Sequence, residues 1–130
     1  MIIEEAIYSR VSTGGTNAST RVYPFVIPQD ATLPAIAYQR VSGPRSLAHD
    51  GNLYFAEGRF QFTCTATTYA AAKALVNQVR ALFHGFKGLM GGASGVTVGY
   101  CAADNEIDGY NQAGEKFTVR LDVIIHYQEP

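Results

Sequence analysis

The chain has 130 residues, of which 47% are hydrophobic and 16% charged, and a formal net charge of −1. This describes a soluble globular protein with one domain over residues 1–130, and the near-zero charge excludes a global electrostatic attraction to nucleic acid or an anionic membrane. No apolar run approaches the roughly 20 residues that span a bilayer, and the start MIIEEAIYSR lacks the basic head and long apolar core of a signal peptide.

In chain order, Ile3, Ala6, Ile7 and Arg10 follow helical spacing and predict a short helix at about Ile2–Val11, with Glu4 and Glu5 near the positive end of its dipole. Residues 12–20, STGGTNAST, carry nothing to bury and read as a mobile loop. Arg21–Ile27 is a β-rich run interrupted by Pro24, which argues for an edge strand or an extended arm because proline cannot donate to a ladder. Pro28 and Pro34 bracket a turn, and Ala35–Val41 follows as a strand. Residues 42–52, SGPRSLAHDGN, form a second mobile segment, longer than a hairpin connection requires.

The stretch Arg59–Gly85 organises the rest. Phe60, Phe62 and Cys64 alternate with Arg59, Gln61, Thr63 and Thr65, the period of a strand buried on one face. The period then changes, and Ala72, Leu75, Val76, Val79, Leu82 and Phe83 make the apolar stripe of an amphipathic helix. Thr68 is the expected N-cap and Gly85 the expected left-handed terminus. Phe86–Gly95 is glycine-rich and reads as an irregular connector, Val96–Ala103 as a strand, and DNEIDGYNQAGE as an acidic turn. Lys116–Gln128 is the longest alternating run. Phe117, Val119, Leu121, Val123, Ile125 and Tyr127 face one way, while Thr118, Arg120, Asp122 and His126 face the other, with Ile124 the exception. The fold class is therefore α+β, a mainly antiparallel β-sheet with helices packed on one face, in the order α-β-β-β-α-β-β. The expected core joins Phe60, Phe62, Val79, Leu82, Val119 and Leu121.

Chemistry-bearing patterns are sparse. His49, His84 and His126 show no paired metal-ligand spacing, and no cysteine nucleophile signature accompanies Cys101. Cys64 and Cys101 fall on expected strands and read as reduced core thiols of a cytosolic product rather than as a disulfide. Asp104, Glu106 and Asp108 lack the further fixed positions of a calcium loop and read as a solvated turn. The segment GGASG lacks the Lys-Ser/Thr ending of a phosphate loop. Eight tyrosines and seven phenylalanines sit without a basic groove, so base stacking is not indicated. No enzyme, cofactor or metal site is expected from these residues.

Larger-scale patterns carry a resemblance. Arg21-Val22-Tyr23 leads to Pro28 and Leu33-Pro34; the polar-aromatic strand Arg59–Thr65 joins Thr68-Tyr69-Ala70-Ala71-Ala72 and a helix; a terminal strand ends in Tyr127. Over nearly its whole length the chain resembles the tail completion, or tail terminator, family of long-tailed bacteriophages and prophages. Pro24 within the first strand and the loose Phe86–Gly95 link depart from that pattern. The resemblance implies a virion structural protein, assembled in the bacterial host cytoplasm, that forms a ring on the head-proximal end of the tail tube. Such a ring stops polymerisation and presents a surface for joining to the head. The implied partners are itself, as a homo-hexamer, the major tail tube protein and a head–tail connector or stopper protein. No membrane or sequence-specific nucleic acid is implied, although the lumen passes DNA. Candidate interface residues are Arg45, His49 and Asp50 in the second loop, and Arg59, Arg120 and Asp122 on the polar sheet face. Two alternatives stand beside it: another neck or head–tail connector protein, and a small cytosolic enzyme or ligand-binding domain.

Overall fold

The computed structural model describes residues 2–42, 55–111 and 115–128. They form helices α1 (Ile3–Ser12) and α2 (Tyr69–Phe83) and strands β1 (Val22–Pro24), β2 (Ala35–Ser42), β3 (Phe55–Ala66), β4 (Gly88–Met90), β5 (Val96–Asn111) and β6 (Lys116–Gln128). The strands make one sheet in the order β1-β2-β3-β6-β5-β4. Every neighbouring pair is antiparallel except β1 and β2, which run parallel. The expected α+β class, a largely antiparallel sheet with helices against it, is the one observed.

Alternation builds the core. Phe60, Phe62 and Cys64 of β3 pair with Val123, Leu121 and Val119 of β6, and all six are buried on the helix side. α2 lays Ala72, Leu75, Val76, Val79 and Phe83 on that face, with the Phe62 and Phe83 rings 4.8 Å apart. A 15-residue helix is marginal alone, whereas each buried Val, Leu or Phe contributes roughly 1.5–3 kcal/mol, so this stripe holds the helix. α1 closes the layer with Ile3, Ala6, Ile7 and Val11. Five of the six expected core residues are fully buried, and Leu82 is half-buried at the margin.

The α2 ends follow the sequence. Thr68 accepts from the Ala71 amide at 3.1 Å, and Gly85 takes φ +81° just beyond the helix. β1 lies at the sheet edge, where Pro24 costs no ladder bond.

Three expectations are corrected. The acidic segment after Ala103 is not a turn: β5 runs on to Asn111, with a bulge between Ala103 and Asn105, because β6 offers a full-length partner. The glycine-rich connector contains β4, whose Gly88–Met90 pairs with Val96–Val98, so the sheet has one more strand than expected. Residues 12–20 do bury something. Ala18 is fully enclosed and Thr16 is 7% exposed, while the Asn17 amide donates to Gln78 Oε1 of α2 at 2.8 Å. A turn with two such anchors is tied to the core, despite its polar composition. The loop residues Arg45, His49 and Asp50 lie outside the described residues.

Candidate assembly surface

The sheet face away from the helices carries the expected polar rows. Arg59, Gln61, Thr63 and Thr65 of β3 stand opposite Ile124, Asp122, Arg120 and Thr118 of β6. The three candidate residues here divide. Arg59 and Asp122 are brought together: an Arg59 guanidinium nitrogen lies 3.3 Å from Asp122 and another 2.5 Å from Asp104. Gln61 also donates to Asp122, at 3.2 Å, which leaves that carboxylate well satisfied. Arg120 stands apart, exposed between its cross-strand neighbours Thr63 and Ile107.

This face is not purely polar. The chain leaves β1 through Phe25, whose φ of +63° is a strained left-handed conformation for a bulky side chain, and whose amide donates to the Tyr38 carbonyl at 2.9 Å. The turn leaves Phe25 70% and Val26 72% exposed, and Ile107 on β5 is 48% exposed. Between them lies a trough of about 500 Å³, with Gln61, Thr63 and Arg120 on its floor. The sequence reading missed the walls. The apolar run Phe25-Val26-Ile27 beyond Pro24 was the available signal, since proline confines its strand to a sheet edge and the residues past it have no ladder to place them.

On the helix side, Glu106 and Asp108 face α2. Lys73 Nζ lies 2.8 Å from Glu106 and 3.0 Å from Asp108, Arg80 also pairs with Glu106, and the Tyr69 hydroxyl donates to Asp108 at 2.6 Å. The Lys73 hydrogen bond, helped by Arg80, holds the Glu106 carboxyl below its ordinary value, and Tyr69 and Lys73 do the same for Asp108. These are clamped carboxylates, not the solvated turn expected. The signal was legible: Lys73 and Arg80 are seven apart on one helical face, and Glu106 and Asp108 are two apart on one strand face. A further hollow, of about 460 Å³, is bounded by Glu4, Glu5, Tyr8 and Tyr38, with the two rings 6.4 Å apart.

The remaining groups hold the structure together. His84 Nδ1 accepts from the Ala103 amide at 3.1 Å, and His126 stacks on Tyr100 with ring centroids 5.1 Å apart. Cys64 and Cys101 are free and buried, and burial pushes both thiols up to about 12. Among the described residues no group of three or more His, Cys, Asp or Glu is placed to hold a metal ion. No helix among them is long and apolar enough to cross a membrane.

The sheet edges differ. The β1 edge is three residues long. On the other side β4 covers β5 only at Val96–Val98, after which the Gly85 amide donates to the Cys101 carbonyl at 2.9 Å and His84 meets Ala103. Beyond the bulge no strand of the described residues covers β5.

No known protein-family model matches the chain, and no curated protein matches it. A solved structure does: a chain from the virion of a native gene transfer agent particle, with a TM-score of 0.67 and 15% sequence identity. The match covers 98% of this chain and 95% of that one. Identity at that level speaks for shared architecture alone, and over the matched length this chain has the fold of that virion component.

Proposed function

We propose that this chain is a structural protein of a phage-like virion, acting through assembly rather than covalent chemistry. The observation that carries the proposal is the end-to-end likeness to a virion component, with 98% of one chain and 95% of the other superposed. More finely, the chain is a tail terminator: it closes into a homo-hexameric ring on the head-proximal end of the tail tube, stops tube growth and offers a surface to the head-side connector. Two unlike sheet edges suit head-to-tail contacts, which close into a ring when the rotation fits. Unpaired strand edges supply directional backbone donors and acceptors for such contacts. Arg45, His49 and Asp50 would dock the tube, and the face bearing Arg59, Arg120 and Asp122 would meet a neighbour or the lumen.

Deleting the gene from its phage or prophage and imaging the lysate tests this reading. The expected result is tails of uncontrolled length, or tails that fail to join heads, and a hexamer of the free protein by sedimentation. Tails of normal length with the protein at the portal would assign it to the connector instead. Deleting Leu47–Asp50 should leave the circular dichroism spectrum unchanged and reproduce the null phenotype; complementation to wild-type titre would remove the docking role of that loop.

A further inference from the structure

Among the described residues, Arg120 is the one arginine whose guanidinium has no partner. Arg10 donates to the Leu82 carbonyl and Arg21 to those of Pro34 and Asn17. Arg40 meets Glu4 and Tyr127, Arg59 meets Asp104 and Asp122, and Arg80 meets Glu106 and Asn77. Five guanidinium groups are thus placed by the fold, and the sixth is left exposed on the trough floor. Thr63 lies beside it on one side and Ile107 on the other. The trough walls, Phe25 and Val26 against Ile107, are among the most exposed large apolar side chains described.

We propose that this trough receives an extended acidic peptide segment from a partner protein of the particle. A carboxylate side chain of that segment pairs with the Arg120 guanidinium, and apolar residues on either side cover Phe25–Val26 and Ile107. The inference rests on the virion reading above and names the chemistry of a partner. Charge complementarity selects the occupant. The planar guanidinium matches a carboxylate bidentately, and such charge-assisted bonds are about twice as strong as neutral ones. A nucleic-acid backbone calls for several uncompensated cations along a groove. Here the neighbouring Arg59 is more than offset by two carboxylates, so Arg120 is the one uncompensated cation in the trough, and the walls are apolar. Placing the charged contact at the centre of an apolar rim excludes water from it, the arrangement of an interface hot spot.

The test uses the full chain with labelled methyl groups and arginine side chains, followed by NMR. The probes are the blocked pentapeptide Val-Thr-Glu-Thr-Val, which when extended puts both valines on the face of its Glu, its Gln counterpart and a twelve-base oligothymidine. The Glu peptide should shift the Arg120 side-chain signal together with the Ile107 and Val26 methyls. Replacing its Glu by Gln, or Arg120→Gln in a chain whose spectrum is otherwise unchanged, should weaken binding by about tenfold or more. Equal binding of the Gln peptide, or no shift with either peptide, overturns the proposal. So does an oligothymidine shift as large at Arg120, which would make the ligand nucleic acid. Shifts of these signals on raising protein concentration without peptide would make a second copy the occupant and equally overturn it. Ring formation is read separately by sedimentation, so a failure of the capping role and a failure of the trough give different results.

Discussion

Arg10 of α1 reaches the last turn of α2, where its Nε donates to the Leu82 carbonyl oxygen at 2.7 Å. The same guanidinium lies 3.7 Å above the Phe86 ring. One side chain thus satisfies a carbonyl left open at the helix end, places positive charge at the negative pole of the helix, and roofs an aromatic ring. Arg10→Met should cost about 1–3 kcal/mol in urea melts, from the charged hydrogen bond and the cation–π contact. Arg10→Lys should recover only part of that, because an ammonium cannot lie flat on Phe86 while donating sideways.

The helix margin predicts a contrast between neighbours. Phe83 is fully buried against Phe62, so Phe83→Ala should cost about 3–5 kcal/mol. Leu82 is half-buried, and Leu82→Ala should cost about 1–2 kcal/mol. Equal losses in denaturant titration would place Leu82 inside the core after all.

Gly14 faces that leucine closely. A Cβ there would lie 2.6 Å from Leu82 Cδ1 and 2.8 Å from the Arg10 carbonyl oxygen. Gly14→Ala should therefore destabilise, and combining it with Leu82→Ala should cost less than the two losses added, by at least about 0.5 kcal/mol. The Arg10 carbonyl keeps the relief partial. Simple additivity in a double-mutant cycle would show that the backbone, not Leu82, sets the constraint.

The carboxylates facing α2 predict an acid-side dependence. Glu106 and Asp108 have folded values lowered from 4.5 and 3.8, so the folded state binds fewer protons than the unfolded state through that range. Their stabilisation is fully present above about pH 4.5 to 5 and is lost as pH falls through the lowered folded values. Lys73→Met removes the cation shared by both and should flatten the acid limb of the stability curve while leaving its slope above pH 6 unchanged. An unaltered acid limb, measured by urea melts from pH 3 to 7, would show that the pairs do not couple to folding.

Both thiols should be silent in the native protein. With each pushed up to about 12 by burial, Cys64 and Cys101 should not react with a thiol-specific disulfide reagent at pH 8, and both should react once urea exposes them. Rapid native labelling of Cys101 would indicate that the layer under α1 opens readily.

Much of the fold was legible because its signals are local. The alternation of Phe60, Phe62 and Cys64, the stripe from Ala72 to Phe83, the Thr68 cap and the Gly85 terminus each follow from a few adjacent residues, and each is observed. What the sequence concealed depends on pairing across strands and with the helix rather than on adjacent residues. Asp104, Glu106 and Asp108 look like a turn until β6 and α2 are placed beside them. Gly88–Met90 becomes a strand only because Val96–Val98 turns back to meet it. Likewise, Arg59, Arg120 and Asp122 shared one row by alternation alone, but nothing local told that Asp104 and Gln61 would join the first and last while Arg120 stood unpaired.

The bulge between Ala103 and Asn105 acts as a frame shift for everything downstream of it. Cys101 and Ala103 pair with Ile125 and Val123, whereas after the extra residue it is Glu106 and Asp108 that pair with Leu121 and Val119. Were the strand counted without it, Ile107 would pass under the helix and the two carboxylates would emerge beside Arg120, supplying from within the chain the counter-charge it lacks. One surplus residue thus acts as a sorting device, sending Glu106 and Asp108 to the helix side of the molecule and leaving Arg120 without a counter-charge on the other.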